Sequence, residues 1–414
     1  MTETKYSGIA SIGEIPAHWR TYRIKSLLSL RSEKNSGDHD LLSVYLDRGV
    51  ISYNDSDGMQ VHKPSADLSN YQNVHVGDFV LNNQQAWRGS VGVSKYDGII
   101  SPAYFVFSLS DKCDPGYMNF LLRDGSMVQQ YETASRGVGT IQRNLYALWF
   151  YESLVALPPK DEQKTIAAFL SAKCAEIDAL TADIQTQINT LEQYKRSVIT
   201  ETVTKGLNPD VEMKDSGNQY WGKIPTNWYL SDIKYLFEIV KRIAGKEGYD
   251  ILSVTQKGIK IKDISNNEGQ VAESYANYQF VYPGDFVMNH MDLLTGWVDC
   301  SKLFGVTSPD YRVFKLRNKN NSLNYYKYIM QTCYMNRIFY SLGQGVSYLG
   351  RWRLQTSSFN NFMVPVPPVE VQESIANYLD KKCTEINACI DDKQRQLEIL
   401  AEYKKTHSGR RSGG

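Results

Sequence analysis

The chain contains one segment twice, as PPKDEQKTIAAFLSAKCAEIDAL at residues 158–180 and as PPVEVQESIANYLDKKCTEINAC at residues 367–389. Both copies share the Pro-Pro start and then the same Gln, Ile-Ala, Cys and Glu-Ile spacing, 209 residues apart. Each Pro-Pro pair precedes a long stretch without Pro or Gly, a pattern that favours a continuous helix. The segment therefore predicts two long, similar helices, each following its own globular part.

The repetition extends to the rest of the chain. The other matches are GEIPAHWRTYRIKSLL at 13–28 with GKIPTNWYLSDIKYLF at 222–237, GDFVLN at 77–82 with GDFVMN at 284–289, and SPAYFVF at 101–107 with SPDYRVF at 308–314. Their order is kept, and the offset changes only between 207 and 209 residues. Self-similarity at a nearly fixed offset indicates a duplicated structural unit. We therefore expect two copies of one fold.

The long segments carry an apolar residue at intervals that suit a coiled coil. The ladder consists of Leu170, Ile177, Ile184, Leu191 and Val198 in the first copy, and of Leu379, Ile386, Ile390, Leu397 and Leu400 in the second. Cys174, Leu180, Ile188 and Tyr194 are expected to fill the neighbouring seam of the first helix, and Lys393 interrupts the second ladder. The alternative is that each helix packs on its own globule. Pairing is favoured because the helices are similar and, at about 40 residues, span roughly 60 Å.

Each copy begins with about 150 residues rich in Tyr, Gly and short β-type runs such as DFVLN and YFVF. This composition predicts a mixed α/β globule. We predict an α+β protein with globules at residues 1–157 and 206–366, helices at 158–205 and 367–407, and a tail at 408–414. The globules are expected to be related by a pseudo-twofold axis, and the helices to form an antiparallel coiled coil. The linker end DSGNQYWGKIP is similar to the N-terminal YSGIASIGEIP, which predicts a circular arrangement with neighbouring termini.

The composition excludes some classes of protein. Lys plus Arg is 46 and Asp plus Glu is 45, a net charge of +1, so a uniformly basic polyanion binder is excluded while a local basic surface is not. No apolar run approaches the roughly 18 residues of a membrane span, and the N-terminal residues lack the apolar stretch of a signal peptide. The six cysteines form no CxxC pair, so reduced thiols are expected. A cytoplasmic location is predicted.

Catalytic and cofactor motifs are missing from the sequence. It contains no GxxxxGK[ST] phosphate loop, no GxGxxG between a strand and a helix, and no HExxH or similar metal-ligand spacing among its six histidines. Asp210 and Glu212 superficially match a PD…ExK nuclease pattern, but one residue separates them in a linker, whereas such a site needs separate strands. We predict that the chain binds no metal or cofactor and is not an enzyme by itself.

The copies diverge most in two places, after the repeated GDFV strand and before each Pro-Pro pair. Asn and Gln side chains can pair with adenine and Arg with guanine, and Gly lets a backbone approach phosphates. The loops therefore predict DNA contacts. The candidate residues are Asn83, Gln84, Gln85, Trp87, Arg88, Arg136, Thr140, Gln142 and Arg143 in the first copy, and Asn289, His290, Asp292, Gln344, Ser347, Tyr348, Arg351 and Arg353 in the second.

The (L/V)PPxxxQxxIAxxL helix start, the GDFV strand, the IPxxW opening and the duplication together resemble the specificity subunit of Type I restriction–modification systems. The resemblance covers nearly the whole chain. It implies two target recognition domains, each reading one half of a bipartite double-stranded DNA sequence, and an antiparallel coiled coil that sets the unread spacer. One departure is that SVITETVTKGL follows the first helix whereas the second copy ends THSGRRSGG.

The same resemblance implies partners. Two methyltransferase subunits would bind the chain and hold S-adenosylmethionine, and motor-nuclease subunits, with ATP and Mg²⁺, would complete the complex. Two other hypotheses are a stand-alone DNA-modifying enzyme and a coiled-coil scaffold with no nucleic-acid role.

Overall fold

The computed structural model describes residues 3–35, 37, 39–46, 48–56, 64–65, 67–138, 142–263, 274–345 and 352–407. The chain forms two compact units. Unit 1 consists of Met1–Gln185 and Arg395–Gly414, and unit 2 of Thr186–Gln394. Each unit therefore contains one globule together with parts of both long helices.

Unit 1 contains fourteen strands within its described residues. They are β1 Thr4–Tyr6, β2 Glu14–Pro16, β3 Arg20–Arg23, β4 Leu28–Arg31, β5 Leu42–Tyr45, β6 Gly49–Ser52, β7 Gln72–Val74, β8 Phe79–Asn82, β9 Val91–Val93, β10 Gly98–Ile100, β11 Tyr104–Leu109, β12 Ser135–Val138, β13 Gln142–Leu145 and β14 Leu154–Leu157. Its helices are α1 Pro115–Leu121, α2 Gly125–Thr133, α3 Ala147–Tyr151 and the first part of α4 Lys160–Lys205, with short 3-10 helices at Ile24–Ser26, Tyr53–Ser56 and Ala86–Arg88.

Unit 2 contains the corresponding second set of elements. Its described strands are β15 Met213–Asp215, β16 Lys223–Pro225, β17 Tyr229–Asp232, β18 Phe237–Val240, β19 Leu252–Thr255, β20 Gly258–Ile261, β21 Gln279–Val281, β22 Phe286–Met288, β23 Val298–Cys300, β24 Gly305–Thr307, β25 Arg312–Leu316 and β26 Met363–Val366. Its helices are α5 Ile233–Leu236, α6 Leu323–Met335, α7 Ile338–Ser341, α8 Thr356–Asn360, the second part of α4 and most of α9 Val369–His407, whose end lies in unit 1.

The two globules share one topology. The largest sheet has the order β4-β11-β8-β9 in unit 1 and β18-β25-β22-β23 in unit 2, and all its pairs are antiparallel. The repeated GDFV and SPxYxVF segments form the two central strands of each sheet. Phe79 and Phe107 are fully buried in unit 1, as are Phe286 and Phe314 in unit 2. These apolar runs stay inside because burying such side chains is the main favourable term in folding.

The glutamine of the PPxxxQ pattern ties each long helix to its globule. Gln163 is buried, donates to the Pro158 carbonyl at 2.9 Å and accepts from the backbone N–H of Asp114 at 2.8 Å. Gln372 is also buried and donates to the Pro367 carbonyl at 2.9 Å. A buried amide needs such partners, which explains why this residue recurs in both copies.

The long helices pair in antiparallel fashion within each unit. In unit 2, Lys195 donates to Asn387 Oδ1 at 2.7 Å, and Lys393 contacts Gln187 Oε1. In unit 1, Lys404 contacts Asp178. From Gln187 to Lys195 along α4, the partner residue on α9 changes from Lys393 back to Asn387. The two helices therefore run in opposite directions. The predicted fold class, two α+β globules with an antiparallel helix pair, is confirmed.

The packing seam differs from the sequence prediction in one respect. Ile177, Ile184 and Ile188 are buried on α4, but Leu180 and Tyr194 are 45% and 49% exposed. The prediction that these two residues fill the neighbouring seam is wrong. A helix places residues three and four apart on one face, so the positions that continue the seam from Cys174 and Ile188 are 181 and 195, which carry Thr and Lys.

None of the helices within the described part of the chain combines the length and apolar character that a membrane span requires.

Candidate nucleic-acid interface

In unit 1, the first predicted loop follows the buried strand β8. Asn82 ends this strand and accepts a hydrogen bond from the backbone N–H of Gln84 at 3.1 Å. The turn leads into the 3-10 helix Ala86–Arg88, where Ala86 is fully buried while Gln84 and Arg88 are exposed. The buried alanine anchors the loop, so the neighbouring polar side chains remain at the surface.

The second predicted loop is the hairpin β12–β13, which pairs Gly137 with Arg143. The hairpin joins the first loop at Asn83. The backbone N–H of Leu145 lies 3.1 Å from the Asn83 carbonyl oxygen and 3.0 Å from its Oδ1, and donates to both. Asn83 therefore holds the two loops together.

Trp87 is the centre of the joined loops. The guanidinium carbon of Arg143 lies 4.8 Å from the Trp87 ring centroid, and that of Arg88 lies 4.7 Å from it. The indole N–H donates to the Gln84 carbonyl at 3.1 Å, and Arg143 forms an ion pair with Glu132 at 3.0 Å. These contacts bring together the predicted residues Asn83, Gln84, Trp87, Arg88 and Arg143.

Two further predicted residues of unit 1, Gln85 and Arg136, make other contacts. Gln85 is half-buried, and its carbonyl accepts from the backbone N–H groups of Arg88 and Ser90 at 3.0 and 3.2 Å, which closes the turn. Arg136 is exposed and lies 4.2 Å from the centroid of Trp149, on α3, rather than over Trp87.

In unit 2, the loop after β22 is stabilised by its own side chains. Asn289 Oδ1 accepts from the backbone N–H of Met291 at 3.2 Å, and Asp292 Oδ1 accepts from those of Leu294 and Thr295 at 2.9 and 3.0 Å. Partial burial acts to raise the pKa of Asp292, but the hydrogen bonds from Thr295 and Leu294 hold it below its usual value. The carboxylate is therefore charged and engaged in capping its own turn.

The second loop of unit 2 is anchored in the same way as that of unit 1. Gln344 and Arg353 exchange backbone hydrogen bonds of 2.9 and 3.1 Å. The backbone N–H of Leu354 donates to the His290 carbonyl at 3.0 Å, which matches the bond between Leu145 and Asn83 in unit 1. The backbone framework is thus common to the two copies, whereas the side chains carried on it differ.

Close packing at the base of this loop requires a glycine. A Cβ atom on Gly343 would lie 2.2 Å from Trp352 Nε1, and that indole N–H donates to the Tyr340 carbonyl at 2.7 Å. Any larger residue at position 343 would displace the tryptophan, so the glycine sets the position of Trp352.

The structure adds Arg312, which the sequence prediction missed. It lies on β25, is 4% exposed, and its guanidinium carbon lies 4.6 Å from the Phe359 ring centroid. Arg312 donates to the Leu354 carbonyl at 3.0 Å and to Thr356 Oγ1 at 3.3 Å, while no carboxylate among the described residues pairs with it. Burial lowers its pKa to about 10, so it is charged at neutral pH and supports the 352–356 loop.

His290 lies near this buried charge. Burial and then the charges of Arg312 and Arg353 lower its pKa to about 4, so the imidazole is neutral at pH 7. Within the described part of the chain, its Nδ1 atom is buried without a hydrogen-bond partner. The repeat places Asn83 and Phe105 at the corresponding positions of unit 1. The signal in the sequence was this replacement of a strand phenylalanine by arginine between SPAYFVF and SPDYRVF.

Four predicted contact residues, Thr140, Ser347, Tyr348 and Arg351, lie outside the described residues, and so does the side chain of Gln142. The other contacts with DNA stay predictions. Among the residues that the structure describes, no three His, Cys, Asp or Glu side chains form a group that could hold a metal ion.

Known proteins share both sequence and fold with the chain, although no protein-family model matches it. The specificity subunit of the Type I restriction enzyme MjaVIII from Methanocaldococcus jannaschii is 24% identical over 354 residues, 80% of this chain and 77% of that protein. A second match is a solved structure from work on the structural basis of complex assembly and conformational transition of the type I R-M system. It covers 96% of this chain and 98% of that chain, with a TM-score of 0.67 and 15% identity. The chain is thus similar in sequence and fold to Type I restriction specificity subunits. The crystal structure of the HsdS subunit from Thermoanaerobacter tengcongensis also matches, over 95% of each chain, with a TM-score of 0.52 and 16% identity.

This similarity bears on two predictions. Its relatives are specificity subunits, which are components of a restriction enzyme, and this supports the prediction that the chain is a recognition subunit rather than an enzyme by itself. One structural neighbour comes from work on the assembly of a Type I complex, which agrees with the prediction that this chain has partner subunits.

Proposed function

We propose that the chain is a Type I specificity subunit that binds an asymmetric bipartite DNA target, with one globule on each half-site, and docks the methyltransferase subunits that modify it. The observation that carries the proposal is the contrast between a shared backbone framework and different side chains. Asn83 and His290 occupy equivalent places at the joined loops, and each accepts the equivalent backbone hydrogen bond. Because equal scaffolds with different side chains read different base edges, the two half-sites are expected to differ.

The loop surface of unit 1 has the chemistry of a nucleic-acid interface. It combines the basic residues Arg88, Arg136 and Arg143 with two tryptophans, and Arg143 also pairs with Glu132. Guanidinium groups can contact phosphates or pair bidentately with guanine. The net charge of +1 over the whole chain therefore does not argue against DNA binding, because the basic groups are concentrated locally.

We assign the paired helices the role of setting the spacer between the half-sites. Half-sites one turn of DNA apart are roughly 34–36 Å from centre to centre. A helix of 46 residues, such as α4, is about 70 Å long at ~1.5 Å per residue, which is long enough to span this separation and overlap a globule at each end. The contacts between α4 and α9 within each unit support this pairing.

We place the catalytic work on partner subunits. Two methyltransferase subunits would hold S-adenosylmethionine, and motor-nuclease subunits would use ATP and Mg²⁺, while the specificity subunit itself binds no cofactor. DNA modification of this kind takes place beside the chromosome, so a cytoplasmic location follows from the proposed role.

Methylome sequencing of a host that expresses the complete system tests the proposal. We expect methylation at a motif with two different halves separated by a fixed number of unread bases. A fluorescent duplex that carries this motif should bind the purified complex with a steep salt dependence, because phosphate contacts release counterions. A motif with identical inverted halves would contradict the asymmetry, and binding without salt dependence would favour a scaffold instead.

A further inference from the structure

Helix α3 in unit 1 presents an apolar face to solvent. Leu148 is 79% exposed, Tyr146 is 50% exposed and Trp149 is 43% exposed, while Phe150 on the opposite side is fully buried. The Tyr146 and Trp149 rings lie 5.7 Å apart. A single exposed leucine is ordinary on a protein surface, but a cluster of three large apolar side chains on five residues indicates a binding surface.

Basic groups border this face. The guanidinium carbon of Arg136 lies 4.2 Å from the Trp149 ring centroid. Arg136 belongs to the hairpin β12–β13, whose second strand carries Arg143 over Trp87. The apolar face is therefore continuous with the basic surface of the candidate interface, and a negatively charged partner would complement it.

The second copy provides an internal comparison. Its helix α8 has the same anchor, because Phe359 is fully buried like Phe150, and the backbone bonds that start the two helices are the same: Phe150 N donates to the Tyr146 carbonyl at 3.1 Å and Phe359 N to the Gln355 carbonyl at 3.0 Å. The outer residues, however, are polar in copy two. Gln355, Ser357 and Ser358 replace Tyr146, Leu148 and Trp149. The outward face of the helix has changed, whereas its buried phenylalanine has not.

The difference between the outer faces of α3 and α8 indicates which kind of partner binds α3. A protein subunit that docks equally on both copies needs a surface that both copies carry. The DNA half-sites, in contrast, differ between the copies, and DNA is the partner whose negative charge suits the flanking arginines. Apolar side chains inserted at a base step are a known way for proteins to kink DNA, and leucine is one of the residues used.

We propose that Leu148, flanked by Tyr146 and Trp149, is a wedge that enters the base stack at or beside the first half-site and unstacks one step. The inference rests on the proposed DNA-recognition function and adds to it a distortion of the DNA in one half-site only. Arg136 holds the Trp149 ring and neutralises a phosphate at the same step.

The test uses the full-length chain and DNA duplexes that carry the motif identified by methylome sequencing. In these duplexes, 2-aminopurine replaces in turn each adenine of the first half-site and its flanks. Unstacking raises the fluorescence of this base. The double variant Leu148→Ser/Trp149→Ser carries the residues of copy two. Leu148→Met keeps an apolar side chain, and Leu30→Ser removes a leucine that is 52% exposed on β4 as a matched control.

We expect the wild type, Leu148→Met and Leu30→Ser to raise the fluorescence at one position, and the double variant to lose this increase and bind about tenfold more weakly. Its thermal unfolding midpoint should stay unchanged because both side chains are exposed. Wild-type affinity and fluorescence in the double variant would overturn the proposal, as would loss of methyltransferase co-purification with DNA binding intact. If the wild type does not distinguish its motif from unrelated DNA, the proposed function itself fails.

Discussion

Arg312 and His290 show how a single buried charge changes the chemistry of one recognition loop. A guanidinium that is 96% buried needs hydrogen bonds or a counter-charge, and Arg312 has the Leu354 carbonyl and Thr356 Oγ1. Burial, and then the charges of Arg312 and Arg353, keep the neighbouring His290 imidazole neutral. The neutral imidazole has one donor and one acceptor nitrogen, whereas a protonated imidazole has two donors. Because Nδ1 is buried, only Nε2 remains for a partner outside the protein.

The pH dependence of stability tests this environment. Folded His290 stays neutral down to about pH 4, whereas an ordinary imidazole takes up a proton near pH 6.5. Between these values the unfolded chain binds more protons, so the stability contributed by neutral His290 is present above pH 6.5 and is lost as the pH falls towards 4. Between pH 7 and 5, the wild type should lose about 2 kcal/mol more free energy of unfolding than His290→Asn, which carries the residue of copy one.

Urea unfolding of both proteins at pH 7, 6 and 5 measures this difference. Parallel pH profiles would show that His290 is solvated and protonates normally in the folded protein.

Two arginines at the loops of different units form a matched pair for binding tests. Replacing Arg143 by Ala removes one of the two guanidinium groups over Trp87 in unit 1. Replacing Arg353 by Ala removes a guanidinium group from the loop of unit 2. If each contacts a base bidentately, each variant should lose about 1–3 kcal/mol of binding to its own half-site only. Gln85→Ala is expected to act on the first half-site in the same way.

Competition binding with duplexes mutated in one half-site at a time measures the effect. An equal loss on unrelated DNA would identify the arginine as a phosphate contact, and no loss would remove it from the interface.

At the scale of elements, the helix pair combines an apolar seam with polar contacts. Ile177, Ile184 and Ile188 of α4 are buried, whereas Lys393 of α9 is only half-buried and reaches across to Gln187. Polar residues within a seam of this kind reduce stability but favour one register over its alternatives. A defined register suits a helix pair that sets a distance.

Alanine substitutions test which residues of α4 lie in the buried seam and which lie on its exposed face. Ile184 is 5% exposed and Leu180 is 45% exposed, so the two positions differ chiefly in burial. Ile184→Ala should lower the free energy of unfolding by about 2–4 kcal/mol, because it removes buried methyl groups and leaves a cavity. Leu180→Ala should change it by less than about 1 kcal/mol. Equal losses in urea unfolding would place Leu180 back in the seam.

At the scale of the whole molecule, duplication separates what the copies share from what they do not. The four-stranded sheets, the buried glutamines and the backbone bonds between the loops recur in both units. Arg312 and the outer face of α3 do not recur. Shared parts suit a common architecture and common partners, and different parts suit the reading of different half-sites.

Changing the length of the helix pair tests its role as a spacer. The pairs formed by Gln187 with Lys393 and by Asp178 with Lys404 place Ala182 across from Ile399. Inserting one heptad after each of these residues keeps the seam in phase and adds about 10 Å. The preferred spacer should lengthen by about three base pairs at ~3.4 Å each, with unchanged half-site bases.

Methylome sequencing of the variant system measures the new spacer. A two-residue insertion is the control, since it rotates the seam out of register and should impair folding. A matched-heptad protein that folds and keeps the original spacer would disprove the role.

The sequence was sufficient for the architecture but not for the side-chain environment of the loops. Repetition, the PPxxxQ pattern and the apolar ladder predicted two globules and two long paired helices, and these features exist because burial patterns are periodic in sequence. The seam prediction failed at Leu180 and Tyr194, because hydrophobicity alone does not distinguish the buried face of a helix from its edge.

The amino-acid sequence by itself determined the duplication, the long helices and the positions where the copies diverge. Only the tertiary structure decided that Arg143 and Arg88 meet over Trp87, that Arg312 is buried beneath the second pair of loops, and that Leu148 is exposed. The physical reason is that periodicity reports local burial, whereas these contacts join residues far apart in the chain. Their burial, charge and hydrogen bonds depend on which loops fold against each other.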